Sequence, residues 1–200
     1  MNQKQVLDIF RDSGAILEGH FILSSGLRSP VFLQKARVFM YADKTSQLCS
    51  ALADKIRQSD IGKIDYVVGP AVGGIIPAYE TSRHLQIPNI WVEREAGEFK
   101  LRRFEIPDGA RVVVIEDIVS TGLSIRETVE ALGKIGANVL AAACIVDRSA
   151  GKAEVGVPLI ALADYEVPAY PADELPPELA AIAPVEPGSR HLHQSVTGKG

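Results

Sequence analysis

Cysteine is scarce in this chain: two thiols, Cys49 and Cys144, in 200 residues. Each falls inside an apolar segment, Leu48 to Leu52 and Val139 to Val146, and neither has the spacing of a zinc site or a redox pair, so both read as buried thiols rather than ligands or catalysts. A basic excess is also missing. The formal net charge of −4 excludes a general binder of nucleic acid or of membrane surfaces, which needs positive charge, so any anion site must be local. No stretch approaches the ~20 apolar residues of a spanning helix, and Met1 to Arg11 mixes charges with scattered apolar residues instead of forming a signal peptide. The expectation is a soluble cytoplasmic protein with no nucleic-acid or membrane partner. Internal repeats and low-complexity blocks are absent. So are the Gly-Lys-Ser/Thr of a Walker A loop and the spaced glycines of a dinucleotide fingerprint.

What is present suits one globular domain. A chain of this length with 46% hydrophobic content can bury about two-thirds of its unfolded surface. Asn2 to Ser13 reads as an amphipathic helix stopped by Gly14. Ile16-Leu17, Phe21-Ile22-Leu23 and Val31-Phe32-Leu33, separated by turn residues, predict small antiparallel strands. Asp43 to Gln58 reads as a helix, with Leu48, Leu52 and Ile56 four residues apart. Strands at Ile64–Val68, Ile90–Val92, Val112–Ile115 and Val139–Val146 then alternate with helices at Ile75–Leu85 and Ile125–Ile135, which predicts an α/β fold with a mostly parallel sheet. Glu93 to Glu105 is too polar for a core element and reads as a surface loop, or a hairpin with a mobile tip, long enough to act as a lid. Beyond Pro158 come two apolar runs, Leu159-Ile160-Ala161 and Leu175 to Ile182, interrupted by prolines, and a polar tail from Gly188 expected to be mobile.

Residues 112 to 124 carry the most chemistry. A β-branched run suited to a strand buried on both faces leads into Glu116 and Asp117, and then into Ser120, Thr121, Gly122 and Ser124 ahead of a helix. Two adjacent acids at the end of an apolar strand are costly unless solvated, paired or used, and at that edge they can accept hydrogen bonds from ribose hydroxyls. The hydroxyl-rich turn at a helix N-terminus suits a phosphate. Gly69 to Gly74, a second glycine-bearing turn between strand and helix, can bend tightly and offer N–H groups to a diphosphate, though a plain turn would use the same glycines. Arg94, Lys100, Arg102 and Arg103 alternate with Glu93, Glu95, Glu98 and Glu105, which is either a solvated charged loop or a lid of cations. Asp147-Arg148 closes a strand at its carboxyl end, where an arginine can pair bidentately with a planar carboxylate. His20 and Arg28 individually read as exposed polar residues, and Trp91 as core. The tail histidines His191 and His193 read as disordered rather than catalytic.

Glu116 to Ser124 resembles the phosphoribosyl-diphosphate (PRPP) signature of type I phosphoribosyltransferases, with Leu123 where that signature often has a second glycine. Gly69 to Ile75 resembles the family's diphosphate loop, although Val72 and Gly73 stand where some members carry a lysine. Glu93-Arg94 with Leu101 to Phe104, Asp147-Arg148, and the segment Gly19 to Gln34 resemble the orotate branch of the family. Many relatives have lysine at Ser24 or at Leu27, which leaves Arg28 as a candidate substitute. The resemblance implies a type I phosphoribosyltransferase-like fold in one domain: a core over residues 43–157, a hood mainly from 14–36 with part of 158–190, a flexible lid at 93–105 and a mobile tail at 188–200. It implies transfer of phosphoribosyl from PRPP to orotate, with Mg²⁺ held mainly through PRPP and not directly by protein ligands, in a homodimer whose lid reaches the partner site. Arg94, Lys100 and Asp117 are then the catalytic candidates. PRPP would meet Glu116, Asp117, Ile118, Val119, Ser120, Thr121, Gly122, Leu123 and Ser124, together with Arg94, Lys100, Arg102, Arg103, Val72 and Gly73. Orotate would meet Ser120, Arg148, Phe32 and Leu33. A transferase for a purine or uracil, and a PRPP-sensing regulator without catalysis, are the alternatives.

Overall fold

The computed structural model describes residues 1–23 and 25–187. Helix α1 (Gln3–Asp12) starts at a capping box, in which the Gln5 amide donates to Asn2 Oδ1 and the Asn2 amide to Gln5 Oε1, both at 2.9 Å. It buries Val6, Leu7 and Phe10. Strands β1 (Ile16–Ile22) and β2 (Arg28–Leu33) pair antiparallel as a separate two-stranded sheet. A short helix α2 (Ala36–Phe39), which the sequence pattern does not announce, leads into α3 (Ala42–Gln58). Then follow β3 (Tyr66–Pro70), α4 (Ile75–Leu85), β4 (Asn89–Glu95), β5 (Glu98–Lys100), β6 (Arg111–Val119), α5 (Leu123–Lys134), β7 (Asn138–Asp147), β8 (Leu159–Asp164) and α6 (Pro177–Ala180).

The large sheet has the order β5-β4-β3-β6-β7-β8. All its neighbours are parallel except β4 and β5. Helices cover both faces, so the central strand must be apolar on both sides. Val113 and Ile115 join one core cluster, with Phe10, Leu48, Leu52 and Ile145, while Val112 and Val114 join the other, with Ile90, Ile125 and Leu132.

Several boundaries differ from the sequence reading: Ile16-Leu17 and Phe21-Ile22 fall in one strand, β1, through Gly19, β4 runs on from Val92 to Glu95, and two further differences bear on the site. Strand β3 starts and ends two residues later than expected, which draws Gly69 and Pro70 into the sheet. Strand β6 does not end at Ile115. It continues through Glu116, Asp117 and Ile118 to Val119, because β7 runs on beside it and pairs Glu116 with Cys144 and Val119 with Asp147. The charged stretch 93–105 is the hairpin alternative in part: β4 and β5 pair from Glu93↔Lys100 to Glu95↔Glu98 around a turn in which Ala96 and Gly97 take positive φ. The two-stranded sheet is tied to the later chain by Arg28 and Tyr170, which exchange backbone hydrogen bonds at 2.8 Å, and by Val185, whose amide donates to His20 O.

Candidate active site

Strands β3 and β6 lie side by side, yet the chain leaves β3 outward to β4 and leaves β6 in the opposite direction to β7. This is a topological switch point, and in open α/β sheets the crevice beyond the carboxyl ends of two such strands takes the ligand. Both glycine-bearing turns open there.

On the β6 side, Asp117 is 1% exposed. Its Oδ1 accepts from its neighbour's amide, Ile118 N, at 2.6 Å and from Lys35 Nζ at 2.7 Å. Glu116 is also buried, and its Oε1 accepts from the Asp117 amide at 3.1 Å. Burial, reinforced by the adjacent Asp117 charge, raises the Glu116 carboxyl above the ordinary carboxylate range. A folded-state pKa above the unfolded one contributes stability that is complete below the unfolded pKa and lost as pH rises through the folded value. Glu116→Gln should therefore gain thermal stability relative to the natural chain as pH rises from about 5 to about 8. Melting curves across that range check this, and a difference that stays constant with pH would contradict it.

The turn after β6 is shaped by Gly122, at φ +76°, where a Cβ would lie 2.7 Å from Val155 Cγ1. Only glycine fits both the left-handed backbone and the contact. No side chain caps α5 through its N-cap residue, so the first amides of a full-length helix face the crevice beside the exposed Ser120 and Thr121. Leu123 is exposed, and its amide approaches Thr121 Oγ1 at 3.4 Å. Ser124 is the second residue of the helix, and its carbonyl accepts from the Thr128 hydroxyl.

On the β3 side the Ala71–Val72 peptide is cis, Val72 is exposed, and Gly73 packs on the Asp117 carboxylate. At the end of β7, the Arg148 amide donates at 2.7 Å to the carbonyl of Val119, the residue before Ser120. The Arg148 Nε is buried without a hydrogen-bond partner among the described residues, and burial lowers the guanidinium from its ordinary value. Such a cation is poised for an anion.

Phe32 is half-buried against Phe21, whereas the Leu33 side chain belongs to the core and leaves its backbone as the group available to a ligand. Arg28 keeps a buried Nη1 without a partner among the described residues. His20 bonds Ile182 O through Nδ1 at 2.8 Å and is buried, not exposed as expected. Trp91 is half-buried, edge-on to Phe104, with Nε1 donating to Glu93. Cys49 and Cys144 are free and buried, and burial pushes both thiols up, Cys49 to about 12, in keeping with buried thiols rather than catalysts. Ser24, His191, His193 and the tail from Gly188 lie outside the described residues.

The hairpin cations are not gathered at the switch point. Arg94 pairs with Glu127 and stacks over Phe99, Lys100 pairs with Glu95, Arg102 with Glu93 and Glu95, and Arg103 with Glu93. The alternating charges neutralise one another within the hairpin and α5.

Lys35 is the residue that the sequence reading missed. It stands two residues after Leu33, the end of the apolar run from Val31, but it meets Asp117 across 82 positions of sequence, and no local pattern signals such a pairing.

Residues 40–159 match the family model described as phosphoribosyl transferase domain. The chain is 75% identical over 192 residues to orotate phosphoribosyltransferase 2 of Mesorhizobium japonicum, with 96% of this chain and 100% of the relative covered. It is 72% identical, with the same coverage, to orotate phosphoribosyltransferase of Brucella anthropi. Among solved structures, orotate phosphoribosyltransferase from Aeropyrum pernix superposes with a TM-score of 0.68 at 31% identity, covering 80% of this chain and 93% of that one.

Proposed function

The chain belongs to the orotate phosphoribosyltransferases, and we propose that it carries out their reaction with the residues gathered at the switch point between β3 and β6. It transfers the phosphoribosyl group from PRPP to orotate, giving orotidine 5′-monophosphate and diphosphate on the route to pyrimidine nucleotides. The observation that carries the assignment of residues is the meeting, at one crevice, of a buried acid pair, a helix N-terminus without a capping N-cap side chain, and a half-buried arginine whose Nε is buried with no partner among the described residues.

The amides and hydroxyls of Ser120 to Ser124 receive the 5-phosphate. Asp117 and Glu116 take the ribose hydroxyls, and Arg148 with Ser120 takes the orotate carboxylate. Positive charge develops at the anomeric carbon as the bond to diphosphate breaks, so the protein contributes position and electrostatics rather than a nucleophile. Mg²⁺, when bound, would neutralise diphosphate charge. It would be held mainly through PRPP oxygens and water, since among the described residues no group of three or more His, Cys, Asp or Glu side chains could hold a metal ion. A cytoplasmic location suits the free thiols and the phosphorylated substrates.

The site is completed by a second copy of the chain. Met40, Ile76 and Tyr79 are 69%, 50% and 61% exposed and surround a groove lined by Phe39, Ile75 and Trp91, an apolar patch at the start of α4 that a monomer would leave wet. A dimer through this face carries the hairpin cations toward the partner's crevice, where phosphate oxygens replace the glutamates. Lys100→Ala and Asp117→Ala, each inactive alone, should recover about a quarter of natural activity when mixed and re-equilibrated, since half the dimers then hold one intact site. No recovery would place all groups of a site on one chain.

The reaction itself is tested by following orotate absorbance with PRPP and Mg²⁺, with uracil, adenine and hypoxanthine in parallel. PRPP-dependent loss of orotate alone is expected, and turnover of another base instead would overturn the assignment.

A further inference from the structure

The turn between β3 and α4 lacks a cation of its own. Val72 is 84% exposed and apolar, Gly73 has no side chain, and among the described residues the amides of Val72 and Gly73 donate to no protein acceptor. An ammonium nevertheless stands beside it. Lys35 Nζ lies 2.7 Å from Asp117 Oδ1, and a Cβ at Gly73 would fall 2.5 Å from Asp117 Oδ2 and 3.2 Å from that same Nζ. Carboxylate, ammonium and turn backbone are thus packed at one point, and the missing side chain at 73 is what leaves room for Lys35. Lys35 also precedes the segment matched by the family model.

The two partners of this ion pair differ in surroundings. Asp117 is 1% exposed in its side chain, whereas Lys35 is 44% exposed. A buried carboxylate needs a donor at all times, but a half-exposed lysine on a flexible stem can exchange its partner. Ribose hydroxyls arriving at Asp117 supply the replacement donors and release the ammonium, and the nearest groups that bring negative charge to the turn are the oxygens of the diphosphate.

We propose that Lys35 is a diphosphate-binding cation supplied to the site by its own chain, stored on Asp117 until ribose takes the carboxylate and then passed to the leaving group beside Gly73. This rests on the reaction assigned above. It makes a residue of the hood, not of the turn, the one that meets the charge growing on the departing oxygens.

Titration calorimetry with Mg²⁺-diphosphate and, separately, ribose 5-phosphate tests the assignment on the whole protein. Lys35→Gln should weaken diphosphate about 10- to 100-fold, raise the KM for PRPP and lower kcat, yet change ribose 5-phosphate affinity less than about 2-fold. Lys35→Arg should restore most of the diphosphate binding. Asp117→Asn, which frees the ammonium, should bind diphosphate alone several-fold more tightly, on the order of the pair's strength in a half-exposed site. Should Lys35→Gln fail to fold, Lys35→Arg and Asp117→Asn carry the test, and diphosphate affinity left unchanged in Asp117→Asn would overturn the proposal. Equal losses of both ligands would reduce Lys35 to a holder of Asp117 and overturn the proposal, as would unchanged diphosphate affinity. Orotate turnover by the natural chain separates the two readings: Lys35-dependent diphosphate binding without turnover leaves this assignment standing and removes the reaction.

Discussion

Replacing Arg148 by methionine should lower kcat/KM for orotate roughly a thousandfold while leaving PRPP affinity within about threefold. Methionine keeps most of the stem volume, so the packing beneath the Arg148 amide, which is anchored to Val119 O at 2.7 Å, is retained. What is lost is a charge-assisted pair to the one group that distinguishes orotate from uracil. Hydrogen bonds to charged groups contribute about 1.5–3 kcal/mol each, and two of them in a partly buried site reach the ~4 kcal/mol that a thousandfold represents. The donor already in place is Nε, buried and unpartnered. Lysine at 148 should recover little, because a point charge cannot reproduce the planar fork. Initial rates with each substrate varied in turn decide the matter. A loss shared equally by orotate and PRPP would show that Arg148 supports the architecture and not the base.

Gly74→Ala is expected to be nearly as damaging, for a purely steric reason. Gly74 has φ −76°, a conformation that alanine adopts freely, so no backbone penalty applies. Its Cβ, however, would lie 2.6 Å from Pro70 Cδ, 2.8 Å from Ile115 O and 2.9 Å from Pro70 O. These are the ring and carbonyls of the two central strands, which cannot rotate away as the end of a side chain can. Overpacking of this kind costs about 1–3 kcal/mol, and a shift of the turn by about 1 Å is enough to lose on the order of 100-fold in rate. Urea unfolding together with kcat/KM should show both effects. Gly26→Ala is the comparison: φ is +83° but nothing lies within 4 Å, so a backbone cost of about 1 kcal/mol without loss of rate is expected. Natural stability in Gly74→Ala would mean that the turn does not pack on β6 as described.

The elements that place the site were legible wherever the signal is local. Val112 to Ile115 announces a strand covered on both faces, and the two core clusters divide its side chains as that requires. Two short glycine turns, each between a strand and a helix, could be read because all their parts are neighbours in sequence. The boundary of β6 could not. Two acids look like the end of a strand, and only the pairing of Glu116 with Cys144 and Val119 with Asp147 shows that the strand continues beneath them. The hairpin was one of two shapes the sequence allowed for 93–105, but its ion pairs were not legible, since alternating signs fit both a cationic lid and the self-neutralised arrangement found.

By itself, then, the chain's order of residues determined the alternation of strands and helices, the acid pair, the hydroxyl turn, and the arginine that closes a strand, because periodicity and contiguous chemistry act over a few residues. Tertiary structure alone decided that β3 and β6 are neighbours, that Gly73 and Gly74 are glycines for closeness rather than for φ, and that Asp117 holds Lys35. Those facts depend on which groups meet across long separations once the apolar faces are buried, and burial, unlike periodicity, is a property of the whole packed chain.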